Sequence, residues 1–261
     1  MPRPEVCVLK TDGINCDMEM SHAFEVAGGD PEAVHINQLR SGERRLGDFA
    51  ILAIPGGFSY GDDIASGKVL ANELTSYLSD QLQEFVDQDK PVLGVCNGFQ
   101  VLVRTGLLPY RTVGEQRVTL VENEIGRFEC RWVELSVGQS VCRFAQQEDF
   151  EELPIPMQTA HGEGLFYAEE DDIRELKDNH QVVFRYSSPK LTRPYGGYPD
   201  NPNGSLDDIA GICDQTGLIL GMMPHPERSV AAFHPNRNRT QTARKAATII
   251  FENVVTYAKN L

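Results

Sequence analysis

The chain has 261 residues, enough for one large α/β unit, and its 41% hydrophobic and 24% charged residues exclude a disordered composition. No apolar run approaches the roughly 18 residues that a membrane-spanning helix needs, and Met1–Lys10 reads as a short strand, not a charged leader before an apolar segment; a soluble, cytoplasmic protein is expected. Acidic residues outnumber basic ones by 38 to 24, and the formal charge of −14 disfavours binding to phosphate backbones.

The first half alternates short apolar runs with helical stretches, the pattern of a doubly wound sheet. Residues 5–10 (EVCVLK) form the first predicted strand, and DGINCD leads into a helix over about 17–27 that Gly28-Gly29 terminates. Strands are expected at 32–36 and at 49–54 (FAILAI), the latter apolar almost throughout, as a strand buried on both faces must be. One long helix is predicted from about 64 to 88, with Leu70, Leu74, Tyr77, Leu78, Leu82 and Phe85 on its buried stripe. The buried strand 91–95 (PVLGV) then runs straight into Cys96, Asn97 and a helix over 98–105.

The second half changes character. Residues 118–124 and 128–137 alternate and suggest antiparallel strands, paired as a hairpin around Gly126, while 139–156 and 190–205 read as loops. Strands resume at 182–186, 209–213 and 218–223, and a last helix spans about 240–259. No internal repeat or dividing linker appears, so residues 1–261 are expected to form a single domain.

Six cysteines, with no CxxC pair among them, are too sparse for a disulfide framework. Cys7, Cys16, Cys130, Cys142 and Cys213 are taken as structural or incidental. Cys96 differs through its flanks. Gly94-Val95-Cys96-Asn97-Gly98 has the G-x-C-x-G form of a nucleophile elbow, placed after a buried strand and before a helix. The glycines remove Cβ atoms that would collide in so tight a turn, and the helix N-terminus favours a thiolate. A free thiol titrates near about 8.5; lowering that by about two units requires roughly 2.7 kcal/mol of preference for the anion.

A thiol nucleophile needs a base, and the base an orienting group. His225 follows the apolar run LILGMM in Met223-Pro224-His225-Pro226-Glu227. In an extended segment residues two apart project to one side, which pairs His225 with Glu227. His161, in HGEG, and His234 are competing bases; His161 is a candidate to line the site, as is Phe58. The loop after FAILAI, PGGFSYGDD, emerges at the same sheet edge as Cys96. Gly57 and the amide of Asn97 are the candidate oxyanion donors, and the loop lacks the lysine of a phosphate-binding GxxxxGK[ST] motif.

With PGGFSYGDD, GVCNGFQ, AHGEG, YPDNPNGS and MMPHPER in order, the chain resembles, over nearly its whole length, the class I (triad) glutamine amidotransferases. Among these it is most similar to the glutaminase component of phosphoribosylformylglycinamidine synthase in purine biosynthesis. The resemblance implies a flavodoxin-like α/β fold: a mostly parallel central sheet flanked by helices, with an antiparallel strand addition. It implies Cys96, His225 and Glu227 as triad, Gly57 and Asn97 as oxyanion positions, and Gln100 beside the bound L-glutamine. It implies no metal or cofactor in this subunit, ATP and Mg²⁺ belonging to a partner synthetase that acts on formylglycinamide ribonucleotide, and a small accessory subunit in the same complex. The alternatives are a glutaminase serving another synthetase, a cysteine hydrolase or glyoxalase-type protein of similar fold, and a non-catalytic regulatory subunit. Histidine commonly follows the cysteine in the hydrolase relatives, whereas Asn97 does so here, and a regulatory subunit would not need all three triad members.

Overall fold

The computed structural model describes residues 2–188 and 196–261. Its first strands follow the apolar runs: β1 (Glu5–Lys10) leads through the DGINCD turn into α1 (Asp17–Val26), whose end is closed by Gly28 at φ +87° with the Gly29 N–H on Phe24 O. Then come β2 (Asp30–His35), a short helix α2 (Ile36–Ser41) and β3 (Ile51–Ile54), all four residues of which are buried. The long helix expected over 64–88 is two helices, α3 (Lys68–Tyr77) and α4 (Ser79–Asp87). Leu78, at φ −126°, breaks the spiral between them, so Leu70, Leu74, Leu78, Leu82 and Phe85 still reach the core while Tyr77 faces solvent.

β4 (Val92–Val95) and α5 (Asn97–Arg104) complete the first half. Beyond them lie β5 (Thr119–Glu122), β6 (Glu129–Val137), β7 (Ile155–His161), β8 (Glu163–Tyr167), α6 (Glu170–Asp178) and β9 (Val182–Ser187). The chain finishes with β10 (Ile209–Cys213), β11 (Ile219–Met222), the single turn α7 (Pro226–Ser229) and the 19-residue α8 (Thr240–Ala258).

Among the described residues, nine strands form one sheet in the order β2-β1-β3-β4-β11-β10-β9-β6-β7. From β2 to β11 neighbours run parallel; from β11 to β7 they run antiparallel. The parallel part carries the order 2-1-3-4-5 of a flavodoxin-like sheet, in which ligands bind beyond the carboxyl ends of the strands. Two helical groups flank it. In one, α1 packs against α8, with Phe24 edge-on to Phe251 at 5.0 Å between centroids; in the other, α5 lies on β3, β4 and β11 beside α3.

The expected hairpin around Gly126 does not form. The turn is there, with the Gly126 N–H on Asn123 O, but β5 pairs with β8, and β6 with β7 and β9. Asn123 causes the divergence: its side-chain amide donates to Arg127 O and to His161 O, fastening the turn to the end of β7 instead of folding β5 onto β6. The loop expected at 139–156 carries one short 3-10 turn (Gln147–Asp149) and ends at the start of β7, two residues earlier than its predicted end. Of the loop expected at 190–205, residues 190–195 lie outside the described residues; the rest is a series of turns held from within by Asn201.

Candidate active site

β4 delivers Cys96 into a backbone conformation that a residue with a Cβ rarely adopts, φ 52° and ψ −106°. Three features hold it there. The Cys96 N–H donates to Met222 O at 2.8 Å, Cys96 O accepts from Gln100 N at 3.1 Å, and the flanking glycines allow three backbones to cross. A Cβ on Gly94 would stand 2.7 Å from Gly98 O, and one on Gly98 only 1.9 Å from Ile54 O. The Cys96 sulfur lies 3.6 Å from Ala160 O, and the residue is 6% exposed.

His225 arrives from the neighbouring strand. β11 runs parallel to β4 with Met222 opposite Val95, so the segment leaving β11 emerges beside the elbow. The His225 N–H donates to Gln158 O at 2.7 Å, bridging this segment to β7. The sequence argument for pairing His225 with Glu227 assumed an extended segment; instead Pro226 starts α7, and Glu227 sits in its first turn. The turn brings the side chains together all the same: His225 Nδ1 and Glu227 Oε1 are 2.5 Å apart, both residues at most 2% exposed. Burial alone would lower the proton affinity of His225. The Glu227 carboxylate, then Cys96 and Cys16, outweigh it, and the imidazole holds its proton well above the usual range. The second nitrogen, Nε2, is buried without a hydrogen-bond partner among the described residues.

The rival histidines have other surroundings. His161 closes β7 and is a strand residue, not part of a loop. Burial, reinforced by His225, drives its pKa down to about 3, so it is neutral and a weak base. Its Nδ1 meets Asn123 Oδ1 at 3.0 Å and its Nε2 meets Asn203 Nδ2 at 3.4 Å. Asn203, from YPDNPNGS, also donates to Gly164 O at 2.8 Å and to the Tyr186 hydroxyl at 3.2 Å, packing that turn against β8 and β9 near the elbow. His234 lies against Trp132, 4.6 Å between ring centroids, with Nδ1 accepting from Asn236 N.

The glycine-rich loop after β3 is anchored to the DGINCD turn by Phe58 N–H on Gly13 O and Tyr60 N–H on Asp12 O. Gly57, at φ +144°, lies so close that a Cβ would stand 2.7 Å from Asn15 N. Asn97 links loop and elbow: its Oδ1 accepts from Ser59 N at 3.4 Å, and its Nδ2 donates to Gln100 Oε1 at 3.0 Å and Asp62 Oδ1 at 3.4 Å. Gln100 Nε2 in turn donates to Glu163 O at the start of β8. Phe58 is 43% exposed and faces Phe128 across 6.3 Å.

Two residues enter the site that the sequence reading did not single out. Cys16, taken as incidental, is fully buried, with its sulfur, a ring nitrogen of His225 and a carboxylate oxygen of Glu227 all within 4.8 Å of one another. Arg228, the residue after Glu227, donates Nη2 to that sulfur at 2.9 Å. Both stand inside the motifs DGINCD and MMPHPER, but only the fold makes them neighbours. Cysteine, histidine and glutamate have the ligand types of a metal site; here the Arg228 cation and the imidazole–carboxylate bond occupy the same donors.

The family model of the CobB/CobQ-like glutamine amidotransferase domain matches residues 3–258. Phosphoribosylformylglycinamidine synthase subunit PurQ of Methanococcus maripaludis is 48% identical over 229 residues, covering 87% of this chain and 83% of the relative. The PurQ subunit of Dehalococcoides mccartyi is 43% identical over 264 residues, with both chains covered in full. Among solved structures, a chain of PurLQS from Thermotoga maritima superposes with a TM-score of 0.72 at 29% identity, covering 98% of this chain and 99% of that one. A glutamine amidotransferase from the same organism, at 15% identity and a TM-score of 0.53, shares the fold and covers 98% of each chain.

Proposed function

This chain belongs to the CobB/CobQ-like glutamine amidotransferase family, and from that premise we propose that it is the glutamine-hydrolysing subunit of phosphoribosylformylglycinamidine synthase, feeding ammonia to a partner synthetase in purine biosynthesis. The observation that carries the reading is the elbow: a strained Cys96 facing a buried imidazole whose far nitrogen is held by Glu227 at 2.5 Å. The relatives of similar length named as PurQ subunits supply the acceptor reaction.

In the reaction, the Cys96 thiolate, paired with the protonated His225 imidazole, attacks the side-chain amide carbon of L-glutamine. The developing oxyanion is met by the N–H groups of Gly57 and Asn97, donors typically worth about 3–4 kcal/mol each. Collapse of the tetrahedral intermediate breaks the C–N bond, and His225 protonates the departing nitrogen as ammonia. Water then gives its proton to His225 and attacks the γ-glutamyl thioester; glutamate leaves as the C–S bond breaks, which restores the thiolate and the protonated imidazole. One glutamine and one water become one glutamate and one ammonia, with no metal or organic cofactor assigned to this half. ATP and Mg²⁺ act on the synthetase, where formylglycinamide ribonucleotide accepts the nitrogen. A small accessory subunit completes the proposed assembly; the Thermotoga chain that superposes on this one comes from PurLQS. Gln100, Phe58 and His161 form walls of the glutamine site. Among the described residues no helix is long and apolar enough to cross a membrane, and we place the complex in the cytoplasm.

The test is a reconstituted complex carrying Cys96→Ala. It should lose synthesis driven by glutamine and keep synthesis driven by added ammonia. Full glutamine-dependent turnover in that variant would overturn the assignment.

A further inference from the structure

Cys16 and Arg228 have no part in the chemistry just described, yet both are built into its centre. Cys16 stands immediately before α1, its N–H donating to Gly56 O at 3.2 Å. Gly56 leaves the space these groups share: a Cβ there would lie 2.7 Å from His225 Cε1 and 3.4 Å from the Cys16 sulfur. Arg228 is half-buried and reaches the same sulfur at 2.9 Å. Its guanidinium also feels the charges of Glu227 and Cys96. Two distant stretches of chain thus converge on one edge of the imidazole, with the Cys16 sulfur itself buried.

We propose that Arg228 and Cys16 are a positioning pair for the base: the guanidinium clamps the Cys16 sulfur against the His225–Glu227 couple, fixing the ring toward Cys96 and offsetting the carboxylate charge. The inference rests on the triad assigned above. A carboxylate buried against an imidazole favours the protonated ring so strongly that a base could be trapped in that form. A nearby cation opposes the effect and favours a thiolate at Cys96. The groups acting on His225 are Glu227 from α7, Cys96 at the head of α5, Cys16 ahead of α1 and the neutral His161 at the end of β7, and Arg228 from α7 reaches three of them, Cys16, Glu227 and Cys96. Arg228 is the sole permanent cation in that set. If Cys16 served only as a small core residue, its loss would alter stability and leave proton affinities untouched.

The experiment uses the complete complex with Cys16→Ala, Arg228→Met and the double variant, following glutamine hydrolysis, thermal unfolding and the pH dependence of Cys96 alkylation by iodoacetamide. Each single variant should lower kcat about tenfold while KM for glutamine stays within about threefold. The half-maximal pH of alkylation should rise by about one unit, which is about tenfold less thiolate below that pH. The double variant should be no worse than the more damaged single one, since one contact is being removed. Arg228→Lys should restore most of the alkylation profile, because it keeps the charge. Should Cys16→Ala fail to fold, Cys16→Ser and Arg228→Met carry the same readouts. Folded variants with the wild-type kcat and alkylation curve would overturn the proposal. Activity in Cys96→Ala would instead remove the triad beneath it, so the two failures are separable.

Discussion

Gly98→Ala asks whether the elbow depends on bare backbone at its crossing point. The added methyl carbon would stand 1.9 Å from Ile54 O and 2.7 Å from the carbonyl carbon. An ordinary contact needs more than 3 Å, so α5 and β3 must part by about 1 Å or more. Neither partner yields easily: Ile54 is paired to Gly94 within the sheet, and Gly98 is fixed by Cys96 two residues before it. Overpacking of this kind costs about 1–3 kcal/mol. The same separation displaces Cys96, and for a group in the proposed role a misplacement of about 1 Å is worth about 10²-fold in rate. Urea unfolding of the subunit and glutamine hydrolysis by the reconstituted complex measure the two effects. Gly47→Ala is the control, since nothing lies within 4 Å of a Cβ built there; it should be close to neutral in both assays. A Gly98→Ala protein with wild-type midpoint and wild-type kcat would refute the reasoning, because the crossing would then have room for a side chain.

Glu227→Gln keeps the shape of the partner and removes its charge. Since the carboxylate is the largest influence raising the proton affinity of His225, the alkaline limb of the kcat profile should move to lower pH, with a loss of about 10²–10⁴-fold in kcat and little change in KM; an unmoved limb would contradict the charge coupling. His161 predicts acid sensitivity. Its pKa is about 3 in the fold and 6.5 ordinarily, so the unfolded chain takes up a proton that the native one refuses. Stability from this group is complete above about pH 6.5 and falls as the pH drops toward 3, about 2 kcal/mol being lost by pH 5. His161→Gln should flatten the slope of unfolding free energy between pH 6.5 and 5, and an unchanged slope would exclude His161 as its source.

What could be read from the residues was local. The four-residue runs of β3, β4 and β11 announce a sheet buried on both faces because each is apolar along its length. The elbow was legible because its demands fall on neighbours in the chain: a strained cysteine needs glycine two positions to either side, and both are there. His225 and Glu227 could be paired for the same reason, although a turn of helix and not an extended segment joins them. Where partners are distant, the reading failed or was silent. Residues 119–122 and 129–137 alternate as a hairpin would, but alternation specifies a face and not a partner, and the Asn123 amide sends them to different neighbours. Tyr77 fits a helical stripe until Leu78 ends the helix. Cys16 and Arg228 lie 212 positions apart, and neither bears any mark of the other. The order of the strands sets them side by side, through the pairing of β11 with β4 and the anchoring of the DGINCD turn to the loop after β3. The amino acids alone therefore marked out the elbow cysteine, the histidine–glutamate pair and the class of sheet that presents them, because those signals travel along the backbone. The company those groups keep was decided only by tertiary packing, since proximity through space is a property of the whole folded chain.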